Sequence, residues 1–440
     1  MSEDLSPRLV LSHALGAYLA VNALPDSLIV MDGKDCVVQK ASQLQGNHDW
    51  QSTLVSSDGA HRVLTTHAMP EEVWKGREDD VERVLDYAIA RPDVQVIFLG
   101  ASRMASITEP AYDMIVERCA ERSGTRKPLI VLPTRSLLND WLQGYADALA
   151  GLARALPLEQ RDPTAGRRVG IVGYLMDRNE EDHFSNLREL ARLLEGIGAE
   201  LLCTWLDGGD SAHLSSIGRA DLIVSLPHAR EAAKVIAQRT GAKLLETGLP
   251  MGLEATSFWL HSIAAALGTS ERAETFVDRE LANAVPKLEW VVQMLSTGAG
   301  MAFVGDPHLL RGFLRLAREL GIRVPFRGIL AEAREDQRDL VRDGLDEPTV
   351  FVDPRVGQMR AAFKRAVAER DIDLLIASSY ALDDLLPDVA AFELGFPSFH
   401  SHALTDQPFL GYQGCLSLVA RLAERRSMHQ LLRAPRASDG

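Results

Sequence analysis

Short β-branched runs alternate with longer amphipathic stretches along nearly the whole chain, and this rhythm limits the folds open to it. "VQVIFLG", ending at Gly100, "PLIVLP" (128–133), "VGIVGYL" (169–175) and "AELLCTW" (199–205) are apolar at almost every position. So are "ADLIVSL" (220–226), "GMAFVGD" (300–306), "VPFRGIL" (324–330) and "DLLIASS" (373–379). A strand with one wet face alternates polar and apolar residues. A strand that is apolar throughout is covered on both faces, as in parallel sheets packed between helices. The stretches in between, such as "PAYDMIVERCAERSG" (110–124) and "DHFSNLRELARLLEGIG" (182–198), carry apolar residues at helical spacing.

At 440 residues the chain exceeds what one hydrophobic core holds. "PLEQRDPTAGRR" (157–168) mixes Pro, Gly and charge without periodicity and reads as a linker. A fresh strand–helix–strand unit opens beyond it and closes at the turn "GLPMGLEAT"; helices from 257 to 297 then lead into another. The expected fold is α/β, with three Rossmann-like domains whose parallel sheets are flanked by helices. Their expected spans are 1–162, 163–275 and 276–440.

Charge narrows the partners. Asp and Glu number 61 against 47 Lys and Arg, a net charge of −14, and such a surface repels phosphate backbones, so no nucleic acid is expected. No apolar run approaches the ~18 residues needed to cross a bilayer, so no membrane is expected either. The first residues, "MSEDLSPRLV", are acidic where an export signal would be basic. Four cysteines (Cys36, Cys119, Cys203, Cys415) lie far apart with no C-x-x-C pair, which excludes a zinc ribbon or disulfide scaffold and fits a cytoplasmic location. The chain has no G-x-x-x-x-G-K-[ST], so it should not hydrolyse a nucleotide itself. "GIVGYL" is followed by the acidic "MDRNEED", which opposes a pyrophosphate.

Several polar residues invite a chemical reading. Cys36 sits in "MDGKDC", a polar turn after a strand, whereas Cys119 and Cys203 lie in apolar settings and read as core, and Cys415 as packing. His400 and His402, in "FHSHALTDQPFLGYQG", are spaced to share one side of an extended segment and bind a metal or donate protons; a solvated loop pair is the alternative. Asn47, His48 and Asp49 form a polar turn suited to capping, to proton donation or to contact with a partner. Thr256 is placed to cap a helix beginning at "SFWLHS", with Glu254 near its positive end. Trp50, Trp74 and Trp141 read as apolar anchors.

Read together over residues 8 to 425, the motifs resemble the component 1 family of nitrogenase and its relatives. These relatives include cofactor-assembly scaffold proteins and the dark-operative protochlorophyllide and chlorophyllide reductases. "SHALGAYLAVNALPDSLIVMDGKDC" is similar to the family's two-cysteine entry segment, and "HRVLTTHAMPEEVWKGREDDVERVL" to its Thr-Thr segment. "PLIVLPTRSLLNDWLQGYADAL" resembles the strand and Gly-Tyr helix closing its first domain, and "ETGLPMGLEATSFWLHSIAAALG" the turn closing its second. "AFVGDPHLLRGFLRLARELG", "DLLIASS" and "GFP…PFLGYQG" resemble successive parts of its third.

The resemblance implies a subunit that pairs with a related component 1-type chain, as a hetero- or homo-oligomer. It also implies a 4Fe–4S cluster at the subunit interface and an ATP-hydrolysing iron–sulfur protein as electron donor. The absent P-loop fits that division of labour. Cys36 matches the family's second cluster ligand and Asp35 is placed to supply an oxygen. His13-Ala14-Leu15-Gly16-Ala17 and Ala101-Ser102-Arg103-Met104, at the other ligand segments, carry no thiol. The second-domain strand end "VSLPHAR" offers Ser225 and His228 where nitrogenase has a cofactor-binding cysteine. The expectation is therefore a reductase acting on a small molecule, such as a tetrapyrrole, and not on dinitrogen. The alternative is a non-catalytic scaffold or assembly subunit supporting a metal-holding partner.

Overall fold

The computed structural model describes residues 4–69, 77–102, 104–105, 110–133, 139–162, 166–332, 348–385 and 388–433; Trp74 and Arg103 lie outside them. The first unit comprises α1 (His13–Asn22), β1 (Ser27–Asp32), α2 (Cys36–Leu44), β2 (Val63–Thr65), α3 (Glu78–Ala90), β3 (Val96–Ala101), α4 (Tyr112–Ser123), β4 (Leu129–Val131) and α5 (Trp141–Ala155). The second comprises β5 (Arg168–Val172), α6 (Glu181–Gly196), β6 (Glu200–Thr204), α7 (Ser211–Ser215), β7 (Leu222–Ser225), α8 (Arg230–Thr240), β8 (Lys243–Glu246) and α9 (Leu253–Leu267). The third begins with α10 (Ser270–Ser296), β9 (Gly300–Gly305), α11 (Pro307–Glu319) and β10 (Phe326–Ile329). It continues through β11 (Thr349–Val352), α12 (Val356–Ala368), β12 (Ile372–Ala377), α13 (Ser379–Leu385), β13 (Ala390–Glu393) and α14 (Gly411–Arg433). Helix α10 runs unbroken across the expected junction at 275.

The sheet orders are β2-β1-β3-β4, β6-β5-β7-β8 and β11-β10-β9-β12-β13. Every pairing within these sheets is parallel. The central strands β1, β3, β5, β7 and β9 are buried at every residue, as continuous apolar runs require. One apolar cluster reaches from Leu15 to Ala423 and joins all three units, with smaller clusters beneath α12 and beneath α3 and α4. Among the described residues no helix is long and apolar enough to cross a membrane.

The structure departs from the sequence expectation at two local points. Cys36 opens a helix and does not sit in a turn, because Val37, Ala41 and Leu44, spaced i, i+4, i+7, bury one face of α2. Helix α9 begins at Leu253, so Thr256 lies inside its first turn and donates to the Gly252 carbonyl at 2.6 Å, and does not cap it. The cap comes from α11: the Glu319 carboxylate accepts from Leu253 N at 2.9 Å and Glu254 N at 3.1 Å. Burial raises the Glu319 carboxyl above its ordinary value, against those two bonds. Glu319→Ala is expected to lower stability by about 1–2 kcal/mol in urea titrations, with Glu319→Gln losing less because it keeps an acceptor.

Candidate functional site

Parallel sheets leave a crevice at the carboxyl ends of their strands where the chain leaves in opposite directions on either side. The second and third sheets bring such ends together. Tyr174, Leu175 and Asp177 follow β5, His228 follows β7, Leu309 follows β9, and Glu393, Leu394 and Ser398 mark the end of β13. All line one enclosed space of about 30 Å³. That is room for about two waters, not for a substrate of any size. Charged groups and their hydrogen bonds fill the rest of the junction.

The first unit enters this junction through His48 and Asp49, both fully buried. His48 Nδ1 accepts the Ser398 N–H at 2.9 Å, which leaves Nε2–H to donate to the Asp177 carbonyl at 2.9 Å. Asp49 Oδ2 accepts from Asn22 Nδ2 (2.7 Å), Asn179 N (2.9 Å) and Asn179 Nδ2 (2.8 Å). One dipeptide therefore touches all three units. Turn capping, the plain reading of this segment, covers only the Asp49 bond to Gln51 N at 2.8 Å.

Around Asp177 the buried charges are mutually arranged. Its carboxylate meets His183 Nε2 at 2.8 Å, while His183 Nδ1 lies 2.8 Å from the Tyr174 hydroxyl. Burial alone would raise the Asp177 carboxyl, but His183, His48 and Arg178 outweigh it and hold it below the carboxylate range. Burial opposes the charge on His183, yet Asp177 and Asp182 raise its pKa. His48 moves the other way, because burial lowers it more than Asp177 raises it. Arg178 pairs with Asp182 and donates to the Ser401 carbonyl at 2.7 Å. Across the space His228 Nε2 meets Asp306 at 2.7 Å, with the His308 ring edge-on at 4.8 Å. Burial, then the neighbouring His228, pushes His308 down to about 3.

His400 and His402 line the same open pocket, but each is claimed by a different carboxylate. His400 Nε2 meets Asp383 at 3.0 Å, and His402 Nδ1 meets Glu180 at 2.7 Å while its ring stacks on Trp50 at 3.7 Å. Trp50 is an exposed stacking partner, and of the three expected anchors Trp141 is the one seen buried. Ser225 ends β7 fully buried beneath Arg230.

A second set of residues gathers at the carboxyl ends of β1 and β3. Asp32, which the sequence reading passed over, is buried there. It accepts from the Thr66 and Tyr112 hydroxyls, both at 2.7 Å. Gly33 presses against Ser102 so closely that an added Cβ would stand 2.6 Å from the serine side chain. Cys36 follows, exposed, whereas Cys119, Cys203 and Cys415 are buried as expected. Burial pushes the Cys203 and Cys415 thiols up to about 12. Tyr18 of α1 is buried, and among the described residues its hydroxyl has no hydrogen-bond partner. Burial, then the nearby Cys36, raises its pKa. Asp35, exposed, meets His67 Nδ1 at 2.5 Å. Tyr18, Gly33, Cys36 and Ser102 thus gather with one sulfur among them. Among the described residues no three His, Cys, Asp or Glu side chains are placed to hold a metal ion. One exposed thiol falls short of the four cysteine ligands that a whole 4Fe–4S cluster takes.

Three parallel-sheet units with a polar junction at their strand ends and an exposed thiol, Cys36, define a multidomain α/β protein. The family model for nitrogenase component 1 type oxidoreductases matches residues 12–426. The chain belongs to that family. It is 22% identical over 382 residues to the nitrogenase molybdenum-iron protein beta chain of Methanococcus maripaludis, covering 79% of each chain. It is 25% identical over 303 residues to light-independent protochlorophyllide reductase subunit N of Rhodospirillum rubrum, covering 62% of this chain and 65% of that one. The solved structure of nitrogenase Cp1 at pH 6.5 superposes with a TM-score of 0.82 at 16% identity, over 100% of this chain and 96% of the other; it supports the fold.

Proposed function

We propose that this chain is one subunit of a nitrogenase-like oxidoreductase in the cytoplasm. It pairs with a related component 1-type subunit and takes electrons from an ATP-hydrolysing iron–sulfur protein. A 4Fe–4S cluster at the subunit seam would hold and pass single electrons, with Cys36 Sγ and the Asp35 carboxylate as this chain's ligands. The observation that carries the reading is the exposure of Cys36 beside Asp35, at the point where three strand and helix ends converge, in a chain whose other cysteines are buried. What this chain's own residues do there is limited and specific. Gly33 lets the β1–α2 connection approach Ser102, and α2 fixes the direction in which Cys36 leaves the surface. The substrate in this reading is an unsaturated small molecule such as a tetrapyrrole, consistent with the likeness to protochlorophyllide reductase subunit N. Dinitrogen is disfavoured because Ser225 and His228 stand where a thiol would be needed. His400 and His402 are candidate proton donors at the open pocket.

A second reading, a scaffold or assembly subunit without catalysis, is favoured by the single sulfur at the cluster position. The two separate in one experiment. The chain is co-purified with its related subunit without oxygen, and iron and the reducible spectroscopic signal are measured. The expected result is about four irons per cluster. Cys36→Ser is expected to lose most of that iron while the two subunits stay together. A colourless wild-type pair establishes the scaffold, and iron undiminished in Cys36→Ser removes this chain from the ligand set.

A further inference from the structure

The open pocket that His400 and His402 share lies between α13, β13 and α14, with a volume of about 830 Å³. Pockets for small organic molecules commonly span ~300–1,000 Å³. Its wall includes Arg421, which also lines the enclosed junction space and so separates the two. The Arg421 guanidinium lies over the Phe392 ring at 4.8 Å, and among the described residues it makes no hydrogen bond or ion pair.

That is unusual for this molecule. Arg178 has Asp182, Arg192 has Glu189 and Glu280, and Arg426 has Asp373 and four backbone carbonyls. A half-buried guanidinium without an acceptor carries a desolvation cost that an anion would offset. Two of the three carboxylates on the same wall are already committed. Asp383 meets His400, and Glu393 accepts the Ser379 hydroxyl and the N–H groups of Phe399 and His400, the last two at 3.1 Å. Glu424 is exposed at the rim, and Arg425, four residues beyond Arg421 on α14, is exposed beside it. Burial, and after it the charges of Arg178 and Arg425 against that of Asp182, lower the Arg421 pKa.

We propose that this pocket binds a small-molecule oxyanion, a carboxylate or a phosphate, held by the free guanidinium of Arg421 with Arg425 beside it. If the chain is the reductase subunit described above, the anionic group anchors the substrate there, outside the closed junction. Binding itself does not depend on that reading. The test is calorimetric titration of the full chain with citrate and, separately, with inorganic phosphate at constant ionic strength. Saturable binding is expected for at least one of them. Citrate alone identifies a carboxylate site, and phosphate alone a phosphate site. Arg421→Gln should weaken Kd about 10-fold or more, and Arg421→Lys less, since it keeps the charge but not the two-pronged geometry. Arg425→Gln, on an exposed residue, should weaken it a few-fold without disturbing the fold. No saturable binding by either anion, or binding unchanged in Arg421→Gln and Arg425→Gln, overturns the proposal. Neither result bears on Cys36. An intact iron signal without anion binding sinks only the pocket, and anion binding without iron sinks only the redox reading.

Discussion

Gly144→Ala is expected to leave little soluble, folded protein, although alanine is the better helix former by about 1 kcal/mol. The reason is the approach of α5 to α1. A Cβ built on Gly144 stands 1.9 Å from the His13 carbonyl oxygen, and one built on Gly16 stands 1.7 Å from that of Trp141. These are backbone atoms and cannot rotate away, so the two helices must separate. Helix α1 is buried at nearly every residue and has no wet face toward which it could move. Separation also pulls on the junction, because Tyr145 donates to the Tyr174 carbonyl at 2.8 Å. Overpacking of this kind costs about 3 kcal/mol or more, which exceeds the gain in propensity. Gly241→Ala is the useful contrast. That residue caps α8 at φ +68° with nothing within 4 Å of a new Cβ, so only backbone strain of about 1–2 kcal/mol is expected. Thermal unfolding of both variants and of Gly16→Ala decides the matter. Gly144→Ala melting no lower than Gly241→Ala would mean the helices yield easily.

The Gly-Tyr pair of α5 was legible in the sequence as a likeness, and its physical reason appears only when the helix opposite is in place. The same division holds elsewhere. Strands covered on both faces announce themselves as unbroken apolar runs, so β3, β5, β7, β9, β10 and β12 were readable, and the half-buried edge strands β4 and β6 carry apolar runs of the same kind. β2 is three residues long and β11 is exposed or half-buried throughout, and neither has a run to read. Cysteines inside apolar stretches were readable as core for the same reason. The polar site was far less legible. His48 and Asp49 look like a surface turn because their partners, Asp177, Asn179 and Ser398, lie some 130 to 350 residues away. The spacing of His400 and His402 was visible, but the carboxylates that divide them, Asp383 and Glu180, come from separate elements. Arg421 gave no signal, since a basic residue on an amphipathic helix reads as solvated.

Acid is expected to open the junction before it melts the sheets. His48 and His308 both have native pKa values below the ordinary 6.5, burial being the main cause in each. The unfolded chain therefore takes up protons at these two positions that the native chain refuses, and stability falls as pH drops below about 6.5. Each such group contributes about 1.4 kcal/mol per pH unit until its native value is reached. For His308, whose native value is about 3, the loss by pH 4.5 is about 2.7 kcal/mol, and His48 adds to it with the same sign. His183 does not contribute in this window. Its native pKa is raised, so its stabilisation is complete below 6.5 and is lost only as pH rises through the native value. Asp177, Asp182 and Asp306 are held low, so what they contribute is lost only below about pH 4. A proton added to His48 Nδ1 would face the Ser398 N–H it now accepts, which breaks this one link between the first unit and the third. Unfolding followed at pH 7 and pH 4.5 should show the loss, and His48→Gln should flatten the slope while lowering stability at pH 7. Hydrogen exchange at pH 5 should show residues 45–50 and 396–403 losing protection ahead of β1, β5 and β9. Stability unchanged between pH 6.5 and 4.5 would mean that the junction histidines are already charged, and that the neutral, doubly hydrogen-bonded His48 is the wrong state for this site.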